Sequence, residues 1–249
     1  KAQDETEVFA NDSKKKIYMH WMDDVPMGEQ LDDDGDPLES IEGCLTDAQY
    51  NRDEHRKAVI DDILDNWVSQ SHNGKFHAIL ATSSIPEAIK YYKLFAQRDC
   101  GLKTTAVFDP SDGNNESSIE KIDGIAQMLE DYNSLFGTCF NISGYASFKR
   151  DVCARLAHKT PYTAVENEPS KCLDILIVVD QMLTGYDSKW LNTLYMDKFY
   201  KWSNIEMIIQ AFSRTNRVFN DDKPHGIIRY YRRPYTMKNI IEYAFEQYS

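Results

Sequence analysis

The chain has 249 residues, 42% of them hydrophobic and 12% aromatic, enough to build a sizeable core. No apolar run approaches the roughly 18 residues that a membrane-spanning helix needs, and the polar start "KAQDETEVFANDSKKK" lacks the apolar stretch of a signal peptide. The net charge of −12 argues against a polyanionic partner until its distribution is considered: residues 1–70 hold 7 basic and 19 acidic side chains, whereas residues 201–249 hold 8 basic and 5 acidic.

Residues 1–50 show little periodicity and carry turn signals, "VPMGE" and then "LDDDGDPLES". The stretch "KIYMHWM" is read as one extended element, and the rest of this acidic segment as a connector. The run Asp32–Asp36 lacks the D-x-D-x-D-G order of a calcium loop and reads as a solvated acidic loop.

From Asn51 the pattern becomes regular. Residues 51–71 place Val59, Ile60, Ile63, Leu64, Trp67 and Val68 on one helical stripe, with acidic residues early. "FHAILATSS" then reads as a buried strand, and Ser84 can cap a helix that has Pro86 near its start. "KTTAVFD" is a second strand. Asp112–Asn115 is a loop, and a helix follows from about Ser117 to Tyr132. "YASFKRDVCARLAHK" is another helix. "LDILIVVD" is the strongest strand signal, all apolar between two aspartates, and "NTLYMDK" is a fourth strand. A helix from Asn204 to about Arg217, a fifth strand "GIIRYYRR" and a closing helix "TMKNIIEYAFEQYS" complete the chain. Strands alternating with helices imply a parallel sheet covered on both faces. The expected division is therefore an acidic extension, 1–50, and an α/β domain, 51–249.

The five cysteines (Cys44, Cys100, Cys139, Cys153, Cys172) are scattered and odd in number, which suits reduced thiols in a cytoplasm. The six histidines show no metal-ligand spacing, and no metal site is expected.

Open α/β sheets bind ligands beyond the carboxyl ends of their strands, and two stretches are placed there. "QMLTGYDSK" offers Gly185 for close backbone approach, the Thr184 hydroxyl for a phosphate and the Asp187 carboxylate for a sugar hydroxyl. "QAFSRTNR" carries Gln210, Arg214 and Arg217 in the spacing Q-x3-R-x2-R. On a helix both guanidiniums would project from one side and could converge on one polyphosphate. Each stretch alone has a plainer reading: a solvated arginine face, or a strand-exit turn with glycine supplying positive φ. Thr82, Ser83 and Ser84 can simply cap the helix that follows them.

Together, "ILIVVDQMLTGYDSKWLNTLYMDK" and "MIIQAFSRTNRVF" resemble motifs V and VI of superfamily 2 helicases, in the wording of the motor (R) subunit of Type I restriction enzymes. "FHAILATSSIPEAIKYYKLF" is similar to the motif IV strand and helix of the same domain. The resemblance covers roughly residues 50–249 and implies a RecA-like α/β fold, the second motor domain of a DNA translocase. It implies that Arg214 and Arg217 act on the ATP γ-phosphate and that Gln210 lies near the nucleotide and the attacking water. Gly185 and Asp187 would touch nucleotide, Thr184 the DNA backbone, and Thr82 and Ser83 the DNA backbone from motif IV. "SKW" after Asp187 departs from the family, where a small residue and proline are more usual.

No G-x4-G-K-[ST] occurs, nor a D-E-x-H box, nor a nuclease constellation. The expectation is a fragment whose ATP and Mg2+ are bound with the help of a first RecA-like domain, elsewhere in the parent chain beside a nuclease domain. On this reading the fragment alone binds no cofactor and hydrolyses nothing. Double-stranded DNA and the modification and specificity subunits are the remaining implied partners. The alternatives are another superfamily 2 machine, such as a Type III restriction subunit or an RNA helicase, and a non-catalytic interaction module docking a basic partner through the acidic first 70 residues.

Overall fold

The computed structural model describes residues 12–98, 100–108, 118–179, 186–219 and 221–248. Contacts divide the chain into two compact units, one of residues 51–232 and one of the residues up to Tyr50 together with those from Arg233 on.

In the smaller unit a helix α1 spans Asp12–Met19 and runs into a π-helical turn, His20–Asp24. "KIYMHWM" is therefore helical and not extended. A lone segment satisfies its backbone hydrogen bonds internally as a helix, whereas a strand needs a neighbour. Asp32 closes the acidic loop by accepting from the backbone N–H groups of Asp34 and Asp36, at 3.0 and 2.8 Å. The closing helix, Pro234–Tyr248, starts on a buried carboxylate: Glu42 accepts from the N–H groups of Tyr235 and Thr236 at 3.1 and 2.7 Å. A carboxylate there satisfies otherwise unpaired N–H groups and complements the positive end of the helix dipole. Arg233 Nη2 donates to Leu45 O at 2.6 Å, so this helix groups with the acidic segment.

The larger unit opens with α2, Asp53–Gln70, which buries Val59, Ile60, Ile63 and Trp67. Leu64 is half-buried, and Val68 is 64% exposed because at 100° per residue it falls past the edge of the stripe. Strand β1 (His77–Thr82) leads to α3 (Ile85–Gln97), β2 (Thr104–Val107), α4 (Ser118–Phe136) and α5 (Tyr145–Leu156). Then come β3 (Ile175–Val178), β4 (Leu191–Asp197), α6 (Ile205–Ser213) and β5 (Ile227–Tyr230). Ser84 does cap α3, its hydroxyl accepting from Glu87 N–H at 3.4 Å. Gly124 lets α4 approach α3, since a Cβ there would stand 2.9 Å from Ile89 Cδ1. The predicted Asp112–Asn115 loop lies outside the described residues.

All four strand pairings are parallel, in the order β2-β3-β1-β4-β5. Every residue of β1, β3 and β4 is buried, as expected of strands covered on both faces. The fold is the RecA-like α/β arrangement.

Polar residues on buried strands are satisfied in kind. Asp197, at the carboxyl end of β4 and fully buried, accepts from Arg232 Nε and Nη2 at 2.9 Å each and from Tyr91 Oη at 3.0 Å, and His55 Nε2 lies 2.7 Å away. Arg56 and Glu87 form a second buried pair, bidentate at 2.7 Å, between α2 and α3. These clusters hold the carboxyl edge of the sheet and leave the amino edge for a different arrangement.

Candidate functional site

Helix α6 buries Ile208, Ala211 and Phe212 and then stops. Its last carbonyls are taken by side chains: Ser213 Oγ donates to Gln210 O at 2.7 Å and Thr215 Oγ1 to Phe212 O at 3.0 Å. Hydroxyls that bond back to the preceding turn compete with helix continuation, and residues 216–218 are irregular. The expected helix to Arg217 is thus corrected. Arg214 is the C-terminal cap and Arg217 lies beyond the helix, so the two do not share a helical face. Gln210 is exposed on α6, one turn before Arg214.

The two motif-bearing stretches nevertheless meet. Arg217 Nε stands 2.9 Å from Asp187 Oδ1, with both side chains more than half exposed. Arg214 Nη1 donates to Tyr186 O at 3.4 Å. Thr184 and Gly185 lie outside the described residues. Gly226 allows the close approach of this segment to β5, because a Cβ there would fall 2.3 Å from Thr215 Cβ.

The meeting point lies at the amino edge of the sheet, not beyond the carboxyl ends. Asp187 precedes Leu191, the first residue of β4, and Tyr186 Oη lies 3.0 Å from Nε2 of His77, the first residue of β1. His77 N donates to Trp190 O at 3.1 Å. A helix that follows a strand in a parallel unit runs back along it, so its last residues arrive where the strands begin. Arg214 and Arg217 come at the end of such a helix.

Beneath the arginines lies a floor of buried side chains that the sequence reading missed. Burial first, and then the nearby His158 and Lys223 charges, hold His77 well below the usual histidine range, so it is neutral. The Trp190 ring is stacked on His158 at 3.9 Å and lies 4.6 Å from the Phe219 ring. Lys223 is 0% exposed, and burial lowers its pKa to about 8. Nothing in "NDDKPHG" separates this lysine from a solvated charged loop. The signal was absent from the local sequence, because its burial is created by residues distant in the chain.

The motif IV residues stand at the other end of β1. Thr82 is 0% exposed and donates its hydroxyl to Val178 O at 3.1 Å, so that group is already committed. Ser83 is half-buried. The six-residue strand β1 runs from His77 to Thr82, so its two ends lie roughly 16 Å apart at the usual rise. The structure therefore joins Asp187, Arg214 and Arg217 and keeps Thr82 and Ser83 apart from them.

The domain is thus a RecA-like parallel α/β domain that presents two arginines beside the Tyr186–Asp187 segment. The family model described as Type I restriction enzyme subunit R domain 3 matches residues 74–233, and the chain belongs to that family. It is 32% identical over 213 residues to the Type I restriction enzyme SsaAORF53P endonuclease subunit of Staphylococcus saprophyticus, a match covering 82% of this chain and 22% of the relative. It is 31% identical over 200 residues to the Type I restriction enzyme SauMRSORF196P endonuclease subunit of Staphylococcus aureus, covering 77% and 20%. A shorter match, 44% over 61 residues, joins 24% of the chain to 6% of the putative Type I restriction enzyme MjaIXP endonuclease subunit of Methanocaldococcus jannaschii. The chain spans about one fifth of the length of the two staphylococcal relatives.

Proposed function

We propose that this domain is the second motor domain of the DNA translocase in a Type I restriction enzyme R subunit, completing an ATP site formed with a first RecA-like domain. The observation that carries the reading is the 2.9 Å contact between Arg217 and Asp187, with Arg214 on the adjoining Tyr186 carbonyl. It gathers the motif V and motif VI residues at one exposed edge.

The residues fit a polyphosphate. Arg217 is more than half exposed and can exchange Asp187 for a phosphate oxygen, and guanidiniums bind such oxygens in bidentate fashion. Asp187, released, is an acceptor for a sugar hydroxyl, and Gly185, two residues earlier in the sequence, would allow close backbone approach. Gln210 would orient the attacking water. On this reading Mg2+ would be held by carboxylates of the first domain. When bound, ATP and Mg2+ supply the energy for closing the interdomain cleft. This chain's arginines neutralise charge developing on the transferred phosphoryl group, a role worth roughly 10³–10⁵ in rate where comparison exists.

Translocation needs backbone contacts without base readout, so the DNA would be held through Ser83 and Thr184 and their neighbours. The nuclease domain of the parent chain and the modification and specificity subunits would complete the enzyme. No helix among the described residues is long and apolar enough to cross a membrane.

The test is Arg214→Ala and Arg217→Ala in the full-length protein. DNA-stimulated ATP hydrolysis is expected to fall at least about a thousandfold while ATP binding is retained. Undiminished turnover in both variants removes the assignment.

A further inference from the structure

Arg217 has left its helix, and residues 216–218 belong to no ladder that would fix their position. A neighbouring side chain does this instead. Phe219 and Lys223 exchange backbone hydrogen bonds, N to O at 3.0 and 3.1 Å, and close a tight loop. The Lys223 side chain folds back beneath that loop, and Nζ donates to Arg217 O at 2.7 Å and to Lys189 O at 3.4 Å. Lys189 lies two residues after Asp187. One ammonium therefore holds the Arg217 peptide and a peptide close to Asp187, the two partners of the exposed ion pair.

The chemistry is specific. A fully buried ammonium is costly, and among the described residues no carboxylate forms an ion pair with Lys223. An apolar side chain would fill the space without that cost. What it could not do is donate to two carbonyls at once.

We infer that Lys223 is a positioning residue of this site, pinning the Arg217 and Lys189 carbonyls and so fixing where the Arg217 guanidinium and the Asp187 carboxylate stand. For catalysis the inference rests on the reading of Arg217 as the nucleotide-facing arginine. For geometry it stands alone.

The experiment uses the full-length protein with Lys223→Met and Lys223→Arg. Trypsin cleaves after Arg217 by attacking the carbonyl that Lys223 holds, and the following Val218 is 65% exposed. Under native conditions Lys223→Met is expected to speed cleavage of the Arg217–Val218 bond at least about tenfold, with cleavage after the exposed Lys90 unchanged. Lys223→Arg keeps the charge and the donors and is expected to restore most of the protection. ATP turnover of Lys223→Met should fall with little change in KM, and Lys223→Met combined with Arg217→Ala should be no slower than Arg217→Ala alone. Unchanged cleavage at Arg217–Val218, or equal acceleration at both bonds, overturns the inference. Selective acceleration together with normal turnover in Arg217→Ala would instead uphold Lys223 as the anchor and defeat the nucleotide-facing reading.

Discussion

Arg217 Nε lies 2.9 Å from Asp187 Oδ1 in an ion pair that leaves 54% and 59% of the two side chains exposed. A pair this open adds about 0–1 kcal/mol, because water screens the attraction and two side chains lose freedom. On the proposed reading the pair opens so that a phosphate oxygen takes the place of Asp187. Arg217→Ala and Asp187→Ala should each lower the unfolding free energy by less than about 1 kcal/mol in urea titrations. A loss of 2 kcal/mol or more from either would make the pair a structural tie and leave no easily released guanidinium for a ligand.

The buried cluster at the other edge should behave in the opposite way. Asp197→Asn leaves Arg232, 2% exposed, without its counter-charge, and about 3–5 kcal/mol should be lost. Burial pushes the Asp197 carboxyl up, but hydrogen bonds from His55 and Arg232 outweigh it and hold the folded value below the usual 3.8. A group depressed in this way contributes stability above its unfolded pKa and loses it as pH falls through the folded value. Wild-type stability should therefore drop below about pH 4 in part through Asp197, and the Asp197→Asn variant should lack that component. Acid titrations of unfolding free energy on the two proteins check it; identical acid limbs would show that Asp197 is not the paired carboxylate described.

The strands were readable because "AILA", "AVF" and "ILIVV" are compact apolar runs, and burial on both faces of a parallel sheet demands such runs. Their lateral order was not readable, since periodicity carries no information about which strand lies beside which. The arginines illustrate a second limit. Q-x3-R-x2-R fits a helix, yet the Ser213 and Thr215 hydroxyls bond back to the last turn, and the helix ends there. Resemblance grouped Asp187, Arg214 and Arg217 around a nucleotide but did not foretell the ion pair of Asp187 with Arg217, nor its place at the amino edge. Lys223 was invisible because its environment comes from Lys189 and the Arg217 backbone.

Thr82 and Ser83 separate a structural hydroxyl from an available one. Thr82→Val removes a buried donor to Val178 O and should cost about 1 kcal/mol while DNA affinity of the full-length protein is unchanged. Ser83→Ala should leave stability within about 0.5 kcal/mol and weaken DNA binding a few-fold on every sequence alike, as expected for a backbone contact. Filter binding at fixed salt and urea titrations distinguish the two. Loss of DNA affinity in Thr82→Val without loss of stability would reverse the roles.

Lys223 makes a prediction at alkaline pH. Burial lowers its pKa from 10.5 to about 8, so between those values the unfolded chain holds the proton that the folded chain has released. The unfolded state then binds more protons, and stability rises with pH by at most about 1.4 kcal/mol per unit. Below about pH 8 both states are charged and the full cost of burying the ammonium is present. Cys153 and Cys172, raised by burial, and the buried tyrosines titrate at high pH as well, but they do so equally in Lys223→Met. The difference in unfolding free energy, wild type minus Lys223→Met, should therefore increase between pH 8 and 10.5 and be flat from pH 6 to 8. A difference that is flat throughout would mean that the ammonium is as well solvated in the folded chain as in the unfolded one, and the carbonyls of Arg217 and Lys189 would need another anchor.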